Sequence, residues 1–205
     1  LTIGRARRPR ARVGALYHLA DAANLDSILA HGLLSTERLL AQAGLPDRDR
    51  TAILRGHRMC NLHLPNGVVI RDQKPMPPAA LAAALDDDMQ PADWYALLNG
   101  HVFLWSDRDR MERQRHACGP RPQIVLTFDA ARLLDTFGDH ALVSPINSGN
   151  ARRKPARRGR DTLVPYRTWR RVGWPAGSRH RAPAEFLFRC TLPAKPPYVV
   201  NVEPL

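Results

Sequence analysis

Residues 16–34 read Leu-Tyr-His-Leu-Ala-Asp-Ala-Ala-Asn-Leu-Asp-Ser-Ile-Leu-Ala-His-Gly-Leu-Leu. The spacing predicts a strand over 13–19 that carries Tyr17 and His18, then a helix over 22–31. Asp21 is placed to accept from the first free N–H groups of that helix, and Gly32 to end it. Leu25, Ile28 and Leu29 fall on the buried face. A hydrogen-bonding His at a strand end beside a helix N-terminus is a good place to hold a phosphorylated ligand.

Working outward, helices follow quickly. Ser35 opens a second helix, with Arg38 where Glu would complete the cap, and Pro46-Asp47 opens a third that runs to about Arg55. Residues 57–75 read as irregular or weakly β, with a turn at Pro65-Asn66-Gly67 and an apolar Val68-Val69-Ile70 ahead of Arg71. Further helices are expected over 77–85 and 93–98. The pattern then turns β: 101–105 is a core strand, Ser106 or Asp107 caps a polar helix, and strands are expected at 123–128, 141–143, 184–190 and 198–202. Helices mostly early and strands mostly late predict one α+β domain over 13–205, preceded by a basic tail over 1–12.

The chain has 205 residues, of which 44% are hydrophobic, enough for one substantial core. No apolar run approaches the roughly 20 residues needed to cross a bilayer, so no membrane partner is expected. The Arg-rich start has no apolar stretch behind it, and the three cysteines are too few and too scattered for a disulfide framework. The expected location is the cytoplasm.

Lys plus Arg number 31 against 19 Asp plus Glu, for a net charge of +12. Almost all the positive charge is Arg, whose planar fork suits phosphates and whose face stacks on bases. The excess sits in two places. Residues 1–12 hold Arg5, Arg7, Arg8, Arg10 and Arg12 with no acid. Residues 151–181 hold eleven bases against Asp161 alone, among them Arg152, Arg153, Arg157, Arg158, Arg167 and Arg170, interleaved with Tyr166, Trp169 and Trp174. Cations that track a backbone and rings that stack on bases suit single-stranded nucleic acid. The competing reading is a solvated loop whose aromatics pack it onto the core. The segment is Pro/Gly-rich and long for a connector, which marks it as functional or mobile.

His57, Cys60 and His63 are spaced like metal ligands, but a fourth, Cys118 or His116, would be only a guess, and no metal is expected. Asp86-Asp87-Asp88 reads as a solvated helix end. The chain contains no phosphate-binding Gly-rich loop or dinucleotide fingerprint.

Three segments, in this order, resemble the ADP-ribosyltransferase superfamily: Leu16-Tyr17-His18 with Asn24-Leu25 and Ile28-Leu29-x-x-Gly32-Leu33; His101 to Trp105 with the helix after it; and Ala184-Glu185-Phe186-Leu187 with Val199-Val200-x-Val202. The order is most similar to that of the DarT toxins, which ADP-ribosylate bases in single-stranded DNA. Val69-Ile70-Arg71 resembles a further segment of theirs. The Arg-rich stretch before Glu185 and the Phe188-Arg189-Cys190 strand end depart from the pattern, so the identity of the base is not carried over. The resemblance implies a split antiparallel sheet with helices and a long basic loop before the last strands. It also implies NAD as donor, consumed as co-substrate, and a nucleobase as acceptor, DNA being favoured over RNA.

In that pattern Glu185 and Arg71 are catalytic, and His18 holds the nicotinamide-side ribose. Tyr17, Asn24 and Trp105 join His18 as candidate NAD contacts. Each also has a plainer reading: Glu185 as a solvent-facing strand charge, His18 as a core histidine, Arg71 as a surface base, Tyr17 and Trp105 as packing, Asn24 as a helix start. A toxin or phage-defence role, with an antitoxin or an ADP-ribose-removing partner, follows from the resemblance alone. Transfer to a protein or small molecule, RNA 2′-phosphotransfer, and a non-catalytic basic nucleic-acid-binding module stand as alternatives.

Overall fold

A computed structural model describes residues 13–86, 88–152, 155–175 and 182–205. The opening stretch forms strand β1 (Ala15–Asp21), a 3-10 turn over Ala22–Asn24, and helix α1 (Leu25–His31). Asp21 accepts from the Ala23 N–H, so the cap belongs to the turn and the α-helix starts three residues later than the pattern suggests. Gly32 ends α1 with φ +79°, and a Cβ there would lie 2.5 Å from the Leu192 carbonyl. Glycine is required at this position because Leu33 and Leu192 exchange main-chain hydrogen bonds beside it.

Helices α2 (Thr36–Gln42) and α3 (Asp47–Arg55) follow, and the Ser35 hydroxyl accepts from the Arg38 N–H as its position suggests. Strands β2 (Leu62–His63) and β3 (Val69–Ile70) make a small hairpin apart from the main sheet. Helices α4 (Pro78–Ala82) and α5 (Pro91–Asn99) lead to β4 (Val102–Trp105), and Asp107 caps α6 (Arg108–Ala117) by accepting from Arg110 N–H. Then come β5 (Gln123–Asp129), α7 (Ala130–Phe137) and β6 (Ala141–Ser144).

The basic segment is not a plain loop. It contains β7 (Val164–Pro165) and helix α8 (Tyr166–Val172) before β8 (Glu185–Phe188) and β9 (Val199–Pro204). The helix is only seven residues long, and its Tyr166, Trp169 and Val172 stand among arginines in an order that suits a nucleic-acid-binding loop equally well.

The result is α+β: an antiparallel seven-stranded sheet, β7-β6-β8-β4-β1-β5-β9, with helices against it. Alternation sends Phe186 and Phe188 of β8 into the main core with Leu16, Leu104, Leu126 and Phe128, under α1, α7 and α8. Leu187 points the other way, into a second cluster with Trp94 and Tyr95 of α5 and Leu81 of α4. On that same face, Leu19 and Val125 meet Met111 of α6. Every side chain of β8 is therefore buried, Glu185 included, which rules out its reading as a solvent-facing strand charge.

One detail of register places the site. β1 pairs with β5 over seven consecutive positions, from Ala15↔Asp129 to Asp21↔Gln123, and β4 pairs with β8 over four. Between β1 and β4 the register is Tyr17↔Trp105 alone. Beyond that pair the two strands part, and residues 18–21 of β1 and 102–105 of β4 line a shared cleft.

Candidate active site

The cleft has a volume of about 830 Å³, within the range of small-molecule sites. His18, Arg71, Trp105 and Glu185 all line it, although they are spread over nearly the whole chain.

His18 sits where β1 and β4 part. Its Nδ1 lies 2.8 Å from the Phe103 carbonyl oxygen, which fixes the ring as the Nδ1–H donor and leaves Nε2 as an acceptor. Loss of hydration pushes its pKa down to about 4, so the imidazole is neutral at physiological pH. It is suited to hydrogen-bond a ligand rather than to titrate.

Glu185 opens β8, paired with Trp105 on one side and Ser144 on the other. It is 4% exposed. Both donors of Ser148 reach the same carboxyl oxygen: the main-chain N–H at 3.0 Å and the hydroxyl at 2.6 Å from Oε2. Among the described residues no donor reaches Oε1, which leaves that oxygen for a ligand. Burial pushes the carboxyl up to about 7, against the Ser148 hydrogen bonds and the positive charge of Arg158, which pull it down. A carboxyl poised near neutrality, beside a cleft, has the properties of an acid–base or charge-stabilising group.

Arg71 follows β3. Its Nη2 donates to Gln123 Oε1 at 2.5 Å, and its carbonyl accepts from Arg58 Nε at 3.2 Å. The Nε atoms of Arg71 and of neighbouring Arg121 are buried and find no acceptor among the described residues. Burial, reinforced by Arg121, lowers the Arg71 pKa, while Cys118, Asp21 and Asp72 raise it. Two cations with unmet donors along one cleft wall make that wall attractive to an anion. Arg121 and Gln123 carried no signal in the sequence that marked them for the site. Half-buried Arg58, whose pKa desolvation lowers to about 10, secures the same wall by donating to the Ile53 carbonyl and to Asn99 Oδ1.

Two of the sequence candidates, Tyr17 and Asn24, take other roles, and Trp105 serves both packing and the cleft. Tyr17 lies on the α6 side with Met111 and Trp105, with the Arg108 guanidinium 6.0 Å from its ring centre, and it does not line the cleft. Asn24 lines the cleft, but both ends of its amide are spent on Val69: Nδ2 donates to the Val69 carbonyl at 2.9 Å and Oδ1 accepts from its N–H at 2.7 Å. It imitates a strand partner and ties the hairpin, hence Arg71, to the start of α1. We expect Asn24→Ala to cost about 1–3 kcal/mol in urea unfolding, the penalty for two main-chain groups left unpaired. Trp105 packs with Tyr17 and Met111 and also lines the cleft, so packing and ligand contact are not exclusive for it.

The aromatics of the basic segment pack on the core and do not line the cleft. Trp169 is 2% exposed, and its ring lies 5.8 Å from that of Trp174 and 6.3 Å from that of Tyr166. Tyr166 in turn packs 5.9 Å from Phe186. These rings fasten α8 to the main core, on the opposite sheet face from Glu185, so they are not placed to stack on a base in the cleft. Arg167 and Arg170 travel with α8; Arg167 is paired to Asp139 at 3.0 Å. Arg158 is buried and not free for phosphate. Arg157 pairs with Asp86 on the surface. Arg152 remains exposed and lines the cleft. Arg153 and the arginines of residues 1–12 lie outside the described residues.

His57 spends Nε2 on the Gln73 carbonyl at 2.8 Å and stacks on Tyr95. Among the described residues no group of three or more His, Cys, Asp or Glu could hold a metal ion, and no helix is long and apolar enough to cross a membrane.

A cleft opened by the parting of two strands, with a neutral imidazole, a buried carboxyl and two arginines with unmet Nε donors on its walls, has the chemistry of a ligand site. The chain belongs to a family of unknown function, DUF7002, whose sequence model matches residues 14–198. No curated protein matches it.

Proposed function

We propose that the protein is an NAD-dependent mono-ADP-ribosyltransferase, with a base in single-stranded nucleic acid as acceptor. One observation carries the reading: His18, from the start of the domain, and Glu185, from near its end, line one cleft where β1 and β4 separate.

The residues fit the donor. Neutral His18 offers Nε2 to a ribose hydroxyl. The arginine wall at Arg71 and Arg121 suits a pyrophosphate. Glu185, held through Oε2, turns Oε1 toward the ligand. Breaking the nicotinamide–ribose bond sends its electron pair to nicotinamide, which leaves neutral, and develops positive charge on the ribose. An ionised Glu185 stabilises that charge and can take the proton that an acceptor N–H gives up as its nitrogen bonds to the sugar. Exposed Arg152, at the cleft, and the chain's surplus of arginine support an anionic acceptor. A toxin or defence role rests on the resemblance.

The test is incubation of the protein with NAD and, in separate arms, single-stranded DNA, single-stranded RNA and a protein extract. The expected result is release of nicotinamide with one ADP-ribose gained per modified base, greatest on DNA. Labelling confined to protein would keep the enzyme class and overturn the acceptor. No nicotinamide release in any arm would overturn the reading.

A further inference from the structure

Arg158 stands in the most basic stretch of the chain, yet it is 1% exposed. Its main chain is fixed to the end of the α4 region: its N–H donates to the Ala84 carbonyl at 2.9 Å, and its carbonyl accepts from Asp86 N–H at 2.7 Å. Its guanidinium reaches inward. Nη1 donates to the Ser148 carbonyl at 3.0 Å, Nη2 to the Asn150 carbonyl at 2.8 Å, and Nε to the Ala156 carbonyl at 3.0 Å. Taking a guanidinium out of water is expensive, and only good partners offset the cost. Here two of the three partners belong to one turn.

That turn is the one that grips Glu185. Ser148 gives both its N–H and its hydroxyl to Oε2, while its carbonyl receives Arg158 and also Trp94 Nε1 at 3.2 Å. The peptide groups around Ser148 are thus held from both sides: its carbonyl by two buried donors, its N–H by the carboxyl. The turn is further pinned where Ala151 N–H donates to the Pro75 carbonyl at 2.7 Å.

We propose that Arg158 is a positioning residue for Glu185: by holding the Ser148–Asn150 turn, it fixes the carboxyl through Oε2 and keeps Oε1 turned to the cleft. The inference rests on the reading of Glu185 as the catalytic carboxyl. It removes Arg158 from any direct role in nucleic-acid binding.

The experiment uses the full chain with Arg158→Met and Arg158→Lys. The chain has only four glutamates, so 13C-labelled Glu gives a sparse carboxyl spectrum in which Glu185→Gln identifies the Glu185 signal. In Arg158→Met the midpoint of the Glu185 titration should rise by about one unit or more, since a cation and an ordered donor pair are lost together. NAD turnover at pH 7 should fall about 10- to 100-fold in kcat, with KM changed less than about 3-fold. Arg158→Lys keeps the charge but not the two-carbonyl fork, and should lie between.

A folded Arg158→Met variant with an unmoved Glu185 midpoint and wild-type kcat would overturn the proposal. If Arg158→Met does not fold, the cycle of Arg158→Lys with Ser148→Ala decides. Ser148→Ala removes the hydroxyl but keeps the main-chain N–H and carbonyl of that residue, so an arginine acting through the turn predicts that Arg158→Lys costs less in the Ser148→Ala background than in the wild type, and fully additive losses would overturn it. Absence of NAD turnover in the wild type would overturn the functional reading, while the carboxyl titration would still judge the hold of Arg158 on Glu185.

Discussion

Glu185→Gln is expected to lower ADP-ribose transfer by about 10³-fold while NAD affinity, measured by calorimetry, changes less than about 3-fold. The amide is nearly isosteric and can still accept from Ser148 through its oxygen, so the turn is kept. What disappears is the negative charge that answers the positive charge on the ribose. Equal labelling by the variant would show that the chemistry belongs elsewhere.

The same substitution should stabilise the fold above pH 7, and the sign follows from the titration. The Glu185 carboxyl is raised from 4.5 to about 7, so between those values the folded protein keeps a proton that the unfolded chain has lost. Its contribution is complete below pH 4.5 and is lost as the pH rises through 7. Above that, the folded protein carries a buried carboxylate at a cost of up to about 3 kcal/mol, which Gln avoids. Urea unfolding of both proteins at pH 5 and pH 8 checks this: the variant should gain at pH 8 and not at pH 5. His18 acts in the opposite sense. Its pKa is lowered from 6.5 to about 4, so its contribution is complete above 6.5 and is lost as the pH falls toward 4. Stability gained by removing a group that activity requires is the usual trade at a functional site.

Phe186→Ala is expected to cost about 3–5 kcal/mol, the range for emptying a buried aromatic site. Phe186 is fully buried on β8, paired with Leu104 of β4 and Val143 of β6, and Tyr166 of α8 packs on its ring. Its loss would loosen the central strands and the seat of α8 together, leaving little nearby that can collapse into the gap. For a domain of this size the cost corresponds to roughly 10 °C in Tm. A midpoint shift under about 1 kcal/mol in urea would mean that α8 is not seated there. Because Phe186 adjoins Glu185 in the chain, residual transfer activity should also fall.

Much of the fold was legible because local rules suffice for it. Asp107 caps α6 and Ser35 caps α2, Gly32 stops α1, and the apolar runs within 101–105 and 123–128 mark core strands. The site was legible only in part. His18, Glu185, Arg71 and Trp105 converge on one cleft, but Asn24 and Tyr17, named with His18 through the resemblance, are used otherwise. The basic segment misled most. Arginines interleaved with aromatics look the same in sequence whether the rings face a nucleic acid or a core, and here the rings face the core.

By itself the sequence determined what depends on neighbours within a few residues: the caps, the glycine stop, the apolar strand runs and the surplus of arginine. Tertiary structure alone decided where β1 and β4 part, because register between strands more than eighty residues apart is set by packing across the whole sheet. It also decided the fate of Arg158. Whether an arginine meets solvent or bends inward to three carbonyls depends on which distant segments fold over it, and no local pattern records that.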